Sequence, residues 1–204
     1  MKYGLVTVAA AVPSVRVADT EFNLRAIECQ VARAEGMGVE VMCFPELSLT
    51  GYSCQDLFGS QLLVDKAEEA LLQLLDFTRK LDVISIVGMP VAAGGLLLNC
   101  AVVVQKGCLL GIVPKTYLPN YNEFYEKRWF ASARDLRPTE ICLAGNTIVV
   151  SPEPKVFATG DGMRFGIEVC EDVWSPVPPS DNLALAGADV VFNLSASNEL
   201  IGKH

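Results

Sequence analysis

Three apolar runs in this chain each end at a turn that carries a reactive side chain, and this repeat constrains the fold most. The first run ends at a proline that is followed by Glu46, and the second ends at a proline that is followed by Lys115. The third run ends at Cys170. Proline interrupts regular strand pairing. Ligands and catalytic groups gather at the carboxyl ends of strands in open α/β sheets. The pattern predicts an α/β protein whose site is assembled from strand ends.

Strand-like and helix-like segments alternate along the chain. Amphipathic helices are predicted over residues 19–38 and 61–81, with a short helix at 182–187. Short apolar runs bounded by glycine, proline or polar residues are typical of strands. Strands are predicted at residues 3–11, 39–44, 83–91, 96–105, 108–113, 140–143, 156–158, 164–169 and 189–194.

Periodicity also predicts which side chains are buried. In the first helix, spacings of three and four place on one face Phe22, Ala26, Cys29, Ala32 and Arg33. The second helix has an apolar stripe of Leu62, Leu63, Ala67, Ala70, Leu71, Leu74 and Leu75. Apolar surroundings predict that five cysteines fill the core, namely Cys29, Cys43, Cys100, Cys108 and Cys142.

Cys170 is the candidate nucleophile. It lies where a strand-like run meets an acidic turn, and a cysteine at the amino end of a helix favours the reactive thiolate. The only histidine is His204, so a base for Cys170 must be a carboxylate or a lysine. Taken singly, Glu46 fits a capping carboxylate and Lys115 a solvated charge. Their recurrence at strand exits favours a shared site.

Three ordered motifs carry a family resemblance. Phe-Pro-Glu-Leu at 44–47, Pro-Lys-Thr-Tyr-Leu-Pro at 114–119 and Val-Cys-Glu-Asp-Val-Trp at 169–174 resemble the signature segments of the nitrilase superfamily. Longer stretches resemble the amino-terminal glutaminase domains of glutamine-dependent NAD synthetases, and they lie at 45–58, 115–130 and 193–198. The resemblance spans nearly the whole chain. It implies a four-layer αββα sandwich in which helices cover two facing sheets.

The resemblance also implies a mechanism. Cys170 attacks the side-chain amide of L-glutamine and forms a thioester, Glu46 transfers protons, and Lys115 stabilises the oxyanion. Many nitrilase relatives carry a second glutamate after the lysine motif. Both Glu123 and Glu126 are candidates, and the sequence that follows Glu126 favours it.

Substrate contacts are implied for four further residues. Glu171 suits the α-ammonium group of glutamine and Ser197 its polar end, while Tyr121 and Phe124 complete the set. No cofactor is implied for glutamine hydrolysis itself. ATP and Mg²⁺ are expected only for a separate NAD synthetase domain, which is the implied partner and uses the released ammonia to convert deamido-NAD to NAD. A homo-oligomer is also expected.

The end of the chain differs from the family pattern. A nitrilase-type domain usually continues beyond the residues that match here, whereas this sequence stops at 204. We therefore expect residues 1–204 to form an incomplete glutaminase domain without the synthetase part. Two alternatives stay open: a nitrilase-family amidase or carbamoylase that acts on another small amide, and an inactive folding or assembly fragment.

Composition excludes some classes of function. Hydrophobic residues make up 51% of the chain, and the formal net charge is −8, so there is no basic patch for nucleic acid or an anionic membrane. The apolar amino-terminal run is too short to span a bilayer. Seven cysteines without C-x-x-C spacing favour reduced thiols, no metal site and a cytoplasmic location.

Overall fold

The structure is a computed structural model, and it describes residues 4–199 and 201–202. The helices are α1 (Thr20–Gly36), α2 (Gln61–Thr78) and α3 (Pro179–Leu185). The strands β1 to β10, in chain order, are Val8–Ala10, Val41–Cys43, Ile84–Ala93, Leu96–Gln105, Cys108–Pro114, Thr139–Leu143, Asn146–Val150, Val156–Ala158, Arg164–Val169 and Val190–Leu194.

The strands form two main sheets. One has the order β1-β2-β3-β4-β5 and the other β10-β9-β8, while β6 and β7 form a separate hairpin. Strands β1, β2 and β3 are parallel, and β3, β4 and β5 are joined by antiparallel pairing. In the smaller sheet, β10 is parallel and β8 antiparallel to β9.

The layers follow from where the apolar side chains point. Helices α1 and α2 bury their apolar faces against one side of the larger sheet. The other side of that sheet packs onto the smaller sheet through residues such as Ile86, Val103, Phe165 and Ile167. Helix α3 packs on β9, with the Leu183 side chain buried. The predicted four-layer αββα sandwich is confirmed.

Helix α1 buries a different face from the predicted one. Leu24, Ile27, Val31 and Ala34 are buried, whereas Cys29 is exposed. The larger aliphatic side chains remove more apolar area from water than alanine and cysteine do, so they determine which face turns inward. In α2 the predicted stripe is confirmed apart from Leu62, which is 66% exposed.

The cysteine prediction is partly wrong. Cys43 and Cys100 are buried, but Cys29, Cys108 and Cys142 are exposed. Cys108 opens β5, which is an edge strand, and Cys142 lies on the exposed side of the two-stranded hairpin. An apolar neighbourhood in sequence does not predict burial at an edge, where one side of the strand lacks a covering layer.

The ends of some elements also differ from prediction. Strand β1 covers Val8–Ala10, less than the predicted strand, whose first residue lies outside the described residues. Helix α3 begins earlier than predicted, at Pro179, because proline has a backbone angle suited to the first helical turn. Among residues 4–199 and 201–202, no helix is long and apolar enough to cross a membrane.

Candidate active site

The turn that carries Glu46 packs directly against β3. A Cβ atom added at Gly88 would lie 2.2 Å from the backbone nitrogen of Leu47, so only glycine fits this position. The amide of Leu49 donates to the Gly88 carbonyl at 3.0 Å, and the amide of Gly88 donates to Ser48 Oγ at 3.1 Å. The close approach fixes the direction in which Glu46 leaves the end of β2.

Lys115 lies between two carboxylates. Its Nζ donates to Glu46 Oε1 at 2.6 Å and to Glu126 Oε1 at 2.7 Å. All three residues are almost completely buried, with exposures of 1% for Lys115, 2% for Glu46 and 1% for Glu126. Buried charges persist only when they are paired and hydrogen-bonded. The fold therefore holds these three side chains as one ionic cluster.

Two residues that the sequence did not single out complete this cluster. Asn99 Nδ2 donates to Glu46 Oε1 at 2.7 Å and to Glu126 Oε2 at 3.5 Å. The Asn99 carbonyl also accepts from the Lys115 amide at 2.8 Å. Tyr52 Oη donates to Glu126 Oε1 at 2.8 Å. Asn99 is the one amide in the otherwise apolar run from Leu96 to Val104 of β4, and that isolation is a signal that could have identified it.

The two oxygens of Glu46 have different environments. Oε1 accepts from both Lys115 and Asn99. Oε2 is buried and has no hydrogen-bond partner among the described residues. A buried acceptor without a partner is costly in a folded protein. Glu46 therefore has one oxygen fixed in position and a second oxygen available to accept a proton.

Electrostatics maintain the charge of the lysine. Burial alone would lower the pKa of Lys115, but the adjacent carboxylates of Glu46 and Glu126 raise it above its ordinary value. Burial and the charge of Glu46 raise the pKa of Glu126 to about 7, against the opposing effect of Lys115. The two carboxylates therefore favour the charged form of Lys115, while the raised pKa of Glu126 favours its protonated form.

Cys170 lies at the end of β9, in a turn that gives it an uncommon backbone conformation. It begins a short 3₁₀ turn that runs from Cys170 to Trp174, and its φ is 47°, in the left-handed region. Ser195 Oγ donates to Cys170 Sγ at 3.3 Å, and Asn193 Nδ2 donates to the Cys170 carbonyl at 3.2 Å. A strained, half-buried cysteine at a strand exit is typical of a functional position.

The prediction that Cys170 is held as a thiolate is wrong for the resting protein. Burial and the charge of Glu46 raise the pKa of Cys170 to about 11. Lys115 and the Ser195 hydroxyl lower it, but they do not offset burial. A single 3₁₀ turn provides little helix dipole. The thiol is therefore protonated at neutral pH, and it needs a base before it can attack.

The candidate substrate residues lie on the exposed side of the site. Tyr121 Oη donates to both carboxylate oxygens of Glu171, at 3.0 and 2.9 Å. The Phe124 ring meets that of Tyr121 edge to face, with centroids 5.7 Å apart. Ser197 is exposed. Tyr121, Phe124 and Glu171 thus form one connected group.

The two candidate accessory glutamates lie in different surroundings. Glu126 contacts Lys115, whereas Glu123 is exposed and accepts a hydrogen bond from Asn198. A cavity of about 330 Å³ lies beside the cluster, lined in part by Tyr52, Glu123, Phe124 and Ala196. Since Tyr52 also contacts Glu126, this cavity reaches the edge of the buried site.

In the part of the chain that the structure describes, no three histidine, cysteine, aspartate or glutamate side chains lie close enough together to hold a metal ion. The single histidine lies outside the described residues.

Proteins of similar sequence align with nearly the whole length of this chain. The glutamine-dependent NAD(+) synthetase of Mycobacterium tuberculosis is 37% identical over 204 residues, which cover 99% of this chain and 30% of the relative. The protein of the same name from Arabidopsis thaliana is 34% identical over 193 residues, covering 91% and 26% of the two chains. The chain thus spans about 30% of the length of these relatives.

Solved structures agree on the fold. A glutamine-dependent NAD(+) synthetase from Cytophaga hutchinsonii superposes with a TM-score of 0.83 at 28% identity, covering 97% of this chain and 32% of that one. An amidase from Nesterenkonia sp. superposes with a TM-score of 0.73 at 22% identity, covering 95% and 66%. The family model for carbon-nitrogen hydrolases matches residues 6–203. This chain belongs to the carbon-nitrogen hydrolase family.

Proposed function

We propose that this chain hydrolyses the side-chain amide of L-glutamine through a thioester on Cys170. The observation that carries the proposal is the asymmetry of Glu46, which has one oxygen held by Lys115 and the other without a partner. Beside it, the electrostatic influence of Glu46 and Lys115 on the pKa of Cys170 indicates a thiol close to both charges. The glutamine-dependent relatives support the choice of substrate.

In the first half-reaction, Glu46 Oε2 accepts the proton of the Cys170 thiol while Sγ attacks the amide carbon. The carbonyl oxygen becomes an oxyanion, which the ammonium group of Lys115 stabilises. Protonated Glu46 then donates its proton to the amide nitrogen. The C–N bond breaks, ammonia leaves, and a thioester remains on Cys170.

In the second half-reaction, Glu46 removes a proton from water as the water oxygen attacks the thioester carbon. Lys115 again stabilises the oxyanion. The tetrahedral intermediate collapses and expels the Cys170 sulfur, which recovers a proton from Glu46. Glutamate leaves and the starting protonation states are restored. The same carboxyl therefore acts as base, acid, base and acid in turn.

Glu126 supports this cycle through Lys115 and does not contact the reacting sulfur. By pairing with Nζ it fixes the position of the ammonium group and raises its pKa. A prepositioned oxyanion donor contributes about 10²–10³-fold to rate, and proton transfer by a positioned carboxyl contributes about 10²–10⁴-fold. Most of the rate enhancement thus comes from groups that the fold holds in place before substrate binds.

We assign recognition of glutamine to the more exposed residues of the site, namely Tyr121, Phe124, Glu171 and Ser197. The Glu171 carboxylate, oriented by Tyr121 Oη, pairs with the α-ammonium group of the substrate. Phe124 packs against the aliphatic part of the substrate, and Ser197 contacts a polar end.

The released ammonia is assigned to a separate NAD synthetase domain, in keeping with the name of the much longer relatives. Conversion of deamido-NAD to NAD with ATP and Mg²⁺ in that domain is what the family resemblance implies. Amide hydrolysis by this chain needs no cofactor in the scheme above. We also propose that this chain forms a homo-oligomer. Light scattering of the purified protein tests this by measuring its mass in solution.

A second candidate function is hydrolysis of another small amide, which the fold of the Nesterenkonia amidase favours. Values of kcat/KM for glutamine, a simple aliphatic amide and an N-carbamoyl amino acid separate the two. We expect glutamine to exceed the others by at least about 10²-fold, since a site built for polar groups rejects substrates that lack them. A preference for the simple amide or the carbamoyl compound would favour the second function. No turnover of any of them by folded protein would indicate a binding or assembly module.

A further inference from the structure

Asp172 is a buried carboxylate to which the mechanism above gives no part. It is 1% exposed and accepts hydrogen bonds only from backbone amides. Oδ1 accepts from Tyr117 N at 2.7 Å and from Thr116 N at 3.1 Å. Oδ2 accepts from Val169 N at 3.0 Å and from Thr116 N at 3.4 Å. Both oxygens are therefore fully used by the protein itself.

The three donors lie next to the two reacting groups. Thr116 and Tyr117 directly follow Lys115, and Val169 directly precedes Cys170. Lys115 follows β5 in the larger sheet, and Cys170 follows β9 in the smaller sheet. Side chains between these sheets are mostly apolar, and apolar packing is weakly directional. The Asp172 side chain thus joins the ends of β5 and β9 by directional hydrogen bonds. It does so beside Lys115 and Cys170, whose relative position matters for the reaction.

We propose that Asp172 is a positioning residue that holds Lys115 at the oxyanion position relative to Cys170. The inference rests on the proposed function, because the distance that matters is the one between the sulfur and the ammonium group during amide hydrolysis. A misplacement of about 1 Å at a reacting group can reduce rate by about 10²-fold. Asp172 acts through the backbone of the segments on either side and touches neither substrate nor sulfur.

A carboxylate suits this task better than an amide. It accepts hydrogen bonds on both oxygens, whereas one end of an asparagine side chain can only donate. Burial raises the pKa of Asp172 to about 6 despite the bonds from Tyr117 and Val169. Asp172→Asn keeps the shape of the side chain, but it places a donor opposite either Val169 N–H or the amides of Thr116 and Tyr117. The variant therefore releases one segment and keeps the other.

Steady-state kinetics test the proposal. For Asp172→Asn we expect kcat to fall by about 10²-fold while KM stays within about threefold. In a double-mutant cycle with Lys115→Met, the two losses should not multiply, because both act through the position of Lys115. Asp181→Asn, an exposed aspartate in α3, is the matched control and should match the wild-type protein. Wild-type kcat in folded Asp172→Asn, or losses that multiply in the cycle, would overturn the proposal.

Amide hydrogen exchange gives a second test that needs no turnover and remains informative if glutamine is not the substrate. In the wild-type protein, Thr116 N–H and Tyr117 N–H lie outside helices and strands, yet we expect them to be protected to the same degree as Val169 N–H. In Asp172→Asn the protection of either the Thr116–Tyr117 pair or Val169 should fall at least about tenfold. If the variant does not fold, the wild-type pattern decides alone. Exchange of Thr116 and Tyr117 at the rate of exposed loop amides would contradict the inference.

Discussion

The buried and exposed halves of the site are built in different ways. Glu46, Lys115 and Glu126 are enclosed and joined by direct ion pairs. On the other side, Tyr121 is 50% exposed and Glu171 is half-buried. The buried half is organised before substrate arrives, which is how a site avoids reorganisation cost during the reaction. The exposed half keeps its charge accessible to a small polar ligand.

This difference implies different responses to substitution. Changes in the buried half should reduce both kcat and stability, because they leave charges without partners in the interior. Changes in the exposed half should alter KM and leave folding unaffected, because surface groups contribute little to stability. Cys170 is half-buried, so its exposure is intermediate between those of the two halves.

Lys115→Met should have the largest combined effect. The variant leaves Glu46 and Glu126 without their shared cation, so the free energy of unfolding should fall by about 3–5 kcal/mol. Loss of the oxyanion donor should lower kcat/KM by about 10²–10³-fold. Urea unfolding and steady-state kinetics measure the two effects. Lys127→Met, at an exposed lysine, is the control, and equal stability of the two variants would contradict the buried ionic cluster.

Gly88→Ala tests how the Glu46 turn is positioned. The added methyl group would overlap the backbone at Leu47, and overpacking of this kind costs about 1–3 kcal/mol. Displacement of Glu46 should lower kcat by up to about 10²-fold. Gly59→Ala is the control, because no atom lies within 4 Å of its added Cβ. An unchanged kcat in Gly88→Ala would show that the turn does not depend on this contact.

The titration of Glu126 should make stability depend on pH. Its pKa is raised from 4.5 to about 7, so the folded state keeps a proton that the unfolded state has already lost. The free energy of unfolding should therefore fall as pH rises from about 4 to 8, by about 3 kcal/mol from this group. Asp172, whose pKa is also raised, adds a change of the same sign. Urea unfolding at several pH values should show a smaller slope for Glu126→Gln than for Glu123→Gln; equal slopes would refute this assignment.

Tyr121→Phe should have the smallest effect. It removes the hydroxyl that orients Glu171 and should raise KM for glutamine by about 3–10-fold, the value of one hydrogen bond. We expect kcat within twofold of wild type and a free energy of unfolding within about 0.5 kcal/mol. Tyr125→Phe, at another exposed tyrosine, is the control. A loss in kcat with KM unchanged would place Tyr121 in the catalytic half instead.

The sequence predicted those candidate site residues that directly follow an apolar strand. Glu46, Lys115 and Cys170 were predicted at strand exits because each interrupts an apolar run. The layers were predicted from the family resemblance, with which the alternation of helices and strands agrees. Asn99 and Gly88 were missed because their importance arises from contacts with a distant segment. Asn99 and Glu46 are separated by 53 positions, and no local pattern encodes that approach.

The protonation state of Cys170 was mispredicted for a related reason. The prediction relied on local geometry, namely a strand end followed by a helix. The structure adds burial and the nearby charge of Glu46, which together outweigh Lys115. Burial depends on the packing of both sheets, so it is not available from the motif. A protonated thiol cannot attack unaided, so the proposed reaction needs Glu46 as its base.

The most direct test of the central claim is intact mass spectrometry after the folded protein is treated with a diazo-ketone analogue of glutamine. We expect one adduct per chain, mapped to Cys170, prevented by excess glutamine and absent from Cys170→Ala. Cys29, Cys108 and Cys142 are exposed thiols and serve as internal controls for unselective alkylation. An absence of adduct in folded protein, or labelling spread over those three cysteines, would contradict a glutamine site at Cys170.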